Sequence, residues 1–169
     1  MPTKKKSIRS GPPSVPLVPG DDQEKEYEAF VQGLRVIGIA LASCVCNLDR
    51  EAYYELKDQA NSFSHEYELT EAGKDYFDAT GRFSVTVAES TGRTPALSVK
   101  CIFQTHFHGQ EPILRQHAER FTNSELKLIL VPYARQFVTS ITSQMSIGPV
   151  ILPLTRQITT SSPKGKDRR

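Results

Sequence analysis

Between Phe30 and Leu48 the chain reads "FVQGLRVIGIALASCVCNL", rich in branched residues, apolar on both alternating faces and free of proline. That pattern predicts a long strand covered on both sides rather than a surface helix. A polar connection, Asp49 to Asn61, follows. "FSHEYEL" then alternates, with Phe63, His65, Tyr67 and Leu69 on one face and Ser64, Glu66 and Glu68 on the other, as a half-buried strand does. "RFSVTVAES" and "ALSVKCIFQTHFH" alternate again around "STGRTP", whose Gly and Pro suit a hairpin connection. Leu97, Val99, Cys101, Phe103 and Phe107 share the apolar face of the last. Four consecutive strands predict an antiparallel sheet.

The period then changes. Thr122 to Glu125 has capping-box spacing and opens a helical pattern, in which Pro132 marks a kink or the first turn of the main helix. From there Ala134, Phe137, Val138, Ile141 and Met145 recur at the helical spacing. The opposite face, Gln136, Thr139, Ser140 and Ser143, is small or uncharged, and Arg135 is the one charge between Pro132 and Met145. An exposed helix of a chain that is 24% charged should carry several charges. The apolar stripe is therefore expected to pack on the sheet, and the Ser/Thr face on another subunit of an oligomer. The predicted fold class is α+β: a four-stranded antiparallel sheet followed by one long helix.

Length and apolar content suit one domain with a sizeable core. The prolines and basic cluster of residues 1–26 and the polar, basic residues 156–169 predict disordered tails around a folded domain over 27–155. That middle part holds eleven bases against fourteen acids, so the positive charge sits in the tails and a nucleic-acid-binding core is disfavoured. Three cysteines, with no apolar signal segment and no bilayer-length run, point to a soluble cytoplasmic protein without membrane insertion.

Metal binding by Cys44, Cys46, His106 and His108 is the sharpest enzymatic candidate, since zinc prefers these ligands. Yet C-x-C and H-x-H place two ligands on one strand face, unlike the usual tight-turn spacing, and ordinary strand residues are the preferred reading; Cys101 reads as a buried small hydrophobe. No nucleophile sits in a Gly-flanked turn, and Glu66, Glu68 and Glu71 read as a solvated face rather than an acid/base set. No enzyme is expected. Apolar residues remain unassigned: Tyr53, Tyr54 and Leu56 in a connection, and Val150, Ile151, Leu152 and Leu154 in the proline-punctuated segment after the main helix. They either line a groove for other apolar chains or form a satellite patch of the core.

"LILVPYARQFVTSITSQMSIGPVILPL" resembles the hallmark of the bacterial protein-export chaperone SecB, through Leu130, Pro132, Tyr133, Ala134, Arg135, Thr139, Ser140, Pro149, Leu152 and Pro153. With the four preceding strands the resemblance runs from Phe30 to Leu154. It implies a homotetramer, a dimer of dimers with long helices between two sheet layers, that binds unfolded preproteins or an antitoxin along apolar grooves with no cofactor and no ATP. Two features depart from the pattern. The family's apolar second helix is replaced by the polar "TRQITTSSPKGKDRR", so a second C-terminal helix is not expected. The resemblance also implies docking to the export motor SecA through carboxylates, some on the first strand, whereas this chain has no acid between Phe30 and Leu48. The short end looks more like the SecB-like chaperones of toxin-antitoxin systems. The expected function is an ATP-independent holdase; the alternative is an oligomeric binding protein dedicated to one folded partner or a small apolar ligand.

Overall fold

A computed structural model describes residues 21–90 and 94–152. Helix α1 spans Asp21–Gly33, strand β1 Leu34–Leu48, helix α2 Arg50–Glu55, strand β2 Gln59–Ala72, strand β3 Tyr76–Glu89 and strand β4 Leu97–Gly109. Helices α3, Arg115–Ser124, and α4, Leu126–Gln144, follow. The strands form one antiparallel sheet in the order β1-β4-β3-β2, so β1 and β2 are its edges. The α+β class and the four antiparallel strands are as the alternation predicts.

The core lies on one sheet face. Inward residues of β3 and β4 alternate as predicted, and Leu97, Val99, Cys101, Phe103 and Phe107 are all buried. At one end Phe77 stacks on Phe107, ring centroids 4.6 Å apart, under Phe121, Leu126, Leu130 and Ala134. At the other end Val85, Val87, Leu97 and Val99 pack against Val138 and the segment Ile147 to Leu152. Helix α4 spans both clusters, and Gly81 is what lets it settle: a Cβ there would stand 2.6 Å from a Leu130 methyl.

Several expectations are corrected. Residues 21–26, placed in a tail, are the first turns of α1, and Phe30 to Gly33 belong to that helix and not to β1. Tyr27, 5% exposed, is held by Arg120, whose guanidinium lies 3.8 Å from the ring centroid and pairs with Glu24 at 2.7 Å. The spacing of Tyr27, Phe30, Val31 and Leu34 was a helical signal hidden by the surrounding charge. Residues 1–20 and 156–169, and with them both remaining tail assignments and the missing second helix, lie outside the described residues.

The capping box also gives way. Thr122 is buried inside α3, and Glu125 joins two helices, its N–H bonded to the Phe121 carbonyl. Two helices therefore follow the sheet where one was expected. Pro132 lies within α4 rather than in its first turn, on an exposed side where the missing donor is tolerated.

β1 departs most. It is an edge strand, broken by irregularities between Val36 and Gly38 and between Leu41 and Ser43. Far from covered on both sides, it leaves Ile37 61% and Val45 55% exposed, with Val36 and Leu41 close behind.

Candidate functional site

Asp49 caps α2 by accepting from the Ala52 N–H at 3.0 Å, and the short helix docks on the end of α4. Arg50 donates to the Met145 carbonyl at 2.9 Å and the Tyr54 hydroxyl to the Ser146 carbonyl at 3.1 Å. A guanidinium at a helix C-terminus also meets the negative end of its dipole. Ser146, at φ 58°, supplies the left-handed residue that ends α4 and reverses the chain.

The returning segment is pinned by Thr142, which is fully buried. Its hydroxyl donates to the Val138 carbonyl at 2.9 Å and accepts from the Val150 N–H at 3.1 Å. Replacing Thr142 by Val keeps the shape but orphans that buried N–H, at about 1–3 kcal/mol. The denaturant midpoint of Thr142→Val should fall accordingly, and amide exchange at Val150 should quicken; an unchanged midpoint would mean the segment is held by packing alone.

The structure brings most of the proposed groove residues to one end of the molecule. Tyr53 and Leu56, half-buried, pack against the cluster that contains Val150 and Leu152. Val150 and Leu152 are 4% and 2% exposed, so they belong to the core and present no surface to a ligand. Alternation along the extended segment turns Ile151 the other way, 73% exposed, and Tyr54 is 66% exposed. Val150 and Leu152 thus form a satellite patch of the core, and Tyr54 and Ile151 an exposed apolar rim around it. Leu154 lies outside the described residues.

A second apolar surface was not anticipated as one. On the core side of the edge strand β2, Phe63, His65 and Tyr67 form a row of rings with centroids 5.5 and 5.2 Å apart, and Phe83 of β3 stacks beside Phe63 at 6.1 Å. Phe63 and Tyr67 are half-buried and His65 is exposed. Burial raises the Tyr67 phenol to about 12, and its hydroxyl oxygen has no hydrogen-bond partner among the described residues. The signal was present as aromatics at i, i+2 and i+4, read only as the inner face of a half-buried strand.

The outer face of α4 carries exposed Gln136, Ser140 and Ser143 beside Tyr133, 48% exposed, and Leu128, 67% exposed. Thr139 is half-buried and turned toward the Val150 carbonyl at 3.5 Å, so it flanks this face rather than forming it. On the opposite side Phe137 packs edge-on against Phe103 of β4, as the stripe requires.

Of the remaining candidates, the cysteines face the core, and the polar side of the sheet bears the histidines and glutamates. His106 and His108 face it, paired with Asp78 at 2.5 Å and Asp75 at 3.5 Å. The strand register sets the histidines opposite Gly38 and Arg35, and the cysteines far along β1 opposite Cys101 and Val99. The four proposed zinc ligands are therefore not brought together. Glu66, Glu68 and Glu71 line β2 on this side, Glu68 paired with Arg82 at 2.6 Å, while β1 offers Arg35 and no acid. A shallow hollow of about 400 Å³ crosses the four strands between Gly38, Thr70, Thr80 and Gln104, away from the apolar rim.

No family model matches the chain, and no curated protein matches its sequence. Among solved structures it is similar to a Mycobacterium tuberculosis SecB-like chaperone in complex with a peptide from an antitoxin, at 14% identity and TM-score 0.61, over 79% of this chain and 99% of that one. A Streptococcus agalactiae protein of unknown function matches more loosely, at 9% identity and TM-score 0.43, over 71% of this chain and 96% of that one. The fold is thus that of a SecB-like chaperone. No helix among the described residues is long and apolar enough to cross a membrane.

Proposed function

We propose that the chain is a cytoplasmic, ATP-independent holdase that shields unfolded polypeptides on apolar surfaces left open by its fold. The carrying observation is that Tyr54 and Ile151 project into solvent from segments anchored on the core, so the surface is preformed. The ring row of β2 extends the contact area. The antitoxin peptide held by the Mycobacterium tuberculosis chaperone favours an antitoxin over a preprotein as client. No catalytic step, cofactor or nucleic acid enters this reading. The α4 face of Gln136, Ser140 and Ser143, flanked by Thr139, joins copies into a tetramer. SecA is expected to bind weakly, because β1 lacks the acids that such docking would complement.

Diluted, denatured model proteins of unrelated sequence should stay soluble at equimolar chain without ATP. Aggregation that proceeds unchanged at excess chain would sink the proposal. Tyr54→Asp with Ile151→Asp should keep the fold, since both side chains are exposed, yet lose most of this protection; undiminished protection would move the client surface elsewhere.

A further inference from the structure

Three cysteines lie on the core-bearing face of two neighbouring strands, Cys44 and Cys46 on β1 and Cys101 on β4. The register sets Cys44 directly opposite Cys101, and Cys46 opposite Val99. Opposed residues of antiparallel strands have Cα atoms about 4.5 or 5.5 Å apart, depending on the pair's hydrogen bonding. Both values fall within the roughly 4.4–6.8 Å that a disulfide tolerates. The diagonal pair, Cys46 and Cys101, is about 7–8 Å apart, beyond that range. Cys44 and Cys46 are two rises of about 3.4 Å apart along one strand, at its limit. Cys46 is in addition engaged elsewhere, its Sγ lying 3.6 Å from the Met145 sulfur.

Accessibility orders the two thiols. Cys101 is 2% exposed, whereas Cys44 is half-buried on the edge strand, beside the exposed Leu41 and Val45. A small reagent in solution meets Cys44 first.

We propose that Cys44 and Cys101 form a latent cross-strand disulfide that a low-molecular-weight disulfide can close. Cys44 gives its proton to solvent, and its thiolate attacks one sulfur of the reagent, forming a mixed disulfide and releasing one thiolate. Cys101 then loses its proton and attacks the Cys44 sulfur, forming the protein disulfide and expelling the second thiolate. The two cysteines lose two electrons, and the reagent gains them as two thiols. Burial raises both thiols above their usual range, Cys101 to about 12 with the neighbouring Cys44 adding to it, so exchange is slow near neutrality. The bond ties the exposed edge strand to the buried centre of the sheet. It involves none of the residues assigned to client binding and stands apart from the proposed function.

The test is exchange of the reduced, full-length chain with excess oxidised glutathione at mildly alkaline pH, read by intact mass and peptide mapping. The expected product has lost two hydrogens, links the β1 peptide to the Cys101 peptide, and unfolds at higher denaturant. Cys46→Ala should retain the link and Cys44→Ala lose it. Three free thiols, a glutathione adduct that persists, or a bond requiring Cys46 would overturn the proposal, and fragmentation of the linked peptide from the unsubstituted chain, which places the bond at Cys44 or at Cys46, decides even if a variant fails to fold.

Discussion

Gln136→Glu with Ser140→Glu should break the assembly: the unsubstituted chain scatters light as a tetramer, and the double variant as a dimer or monomer. Both residues are exposed in the single chain and lie one turn apart on α4. On a helix facing water, like charges at this spacing cost only about 0.2–0.5 kcal/mol. Between subunits, two carboxylates must shed water without partners, and the penalty rises to roughly several kcal/mol per ion. The pair avoids Thr139, whose turn toward Val150 would confuse a lost interface with a loosened segment. Retention of the tetramer would show that this face looks into solvent.

Phe107→Ala should bring the fold to the brink. Phe107 is fully buried, stacked on Phe77 and approached edge-on by Phe121 at 5.3 Å. Truncating such a ring costs about 3–5 kcal/mol, and the loss cannot be recovered where β3, β4 and α3 all rest on the same side chain. Single domains have only about 5–15 kcal/mol to lose. Urea unfolding should show the midpoint lowered at a similar slope, whereas Ile151→Ala, on an exposed residue, should barely move it. A loss under about 1 kcal/mol in the Phe107 variant would contradict its place in the core.

The sheet was legible because period-two alternation depends only on which face meets the core; of the central strands, β4 follows it residue by residue and β3 does so except at the buried Thr80. Edge position is not a local property. β1 carries the branched composition of a buried strand, and nothing within it announces that one chain supplies no second neighbour. α1 escaped because charges outnumber its apolar anchors Tyr27, Phe30 and Val31, and docking on Arg120 and His117 is a tertiary matter. Of the candidate surface, the sequence placed Tyr54 and Ile151 but could not separate them from Val150 and Leu152, because a segment whose apolar residues run consecutively does not reveal which ones a neighbouring helix will cover. Thr142 shows the same limit: a threonine in a polar helix turn proved to be the buried anchor of that segment.

The central claim, that these surfaces recognise unfolded chains as such, is tested most directly by fluorescence anisotropy with several unrelated labelled proteins, each presented both folded and trapped unfolded by reduction and alkylation. The account predicts saturable binding of the unfolded forms without nucleotide, competition among them, and no binding of their folded counterparts. No binding of any unfolded form, or binding confined to one folded partner, would contradict it.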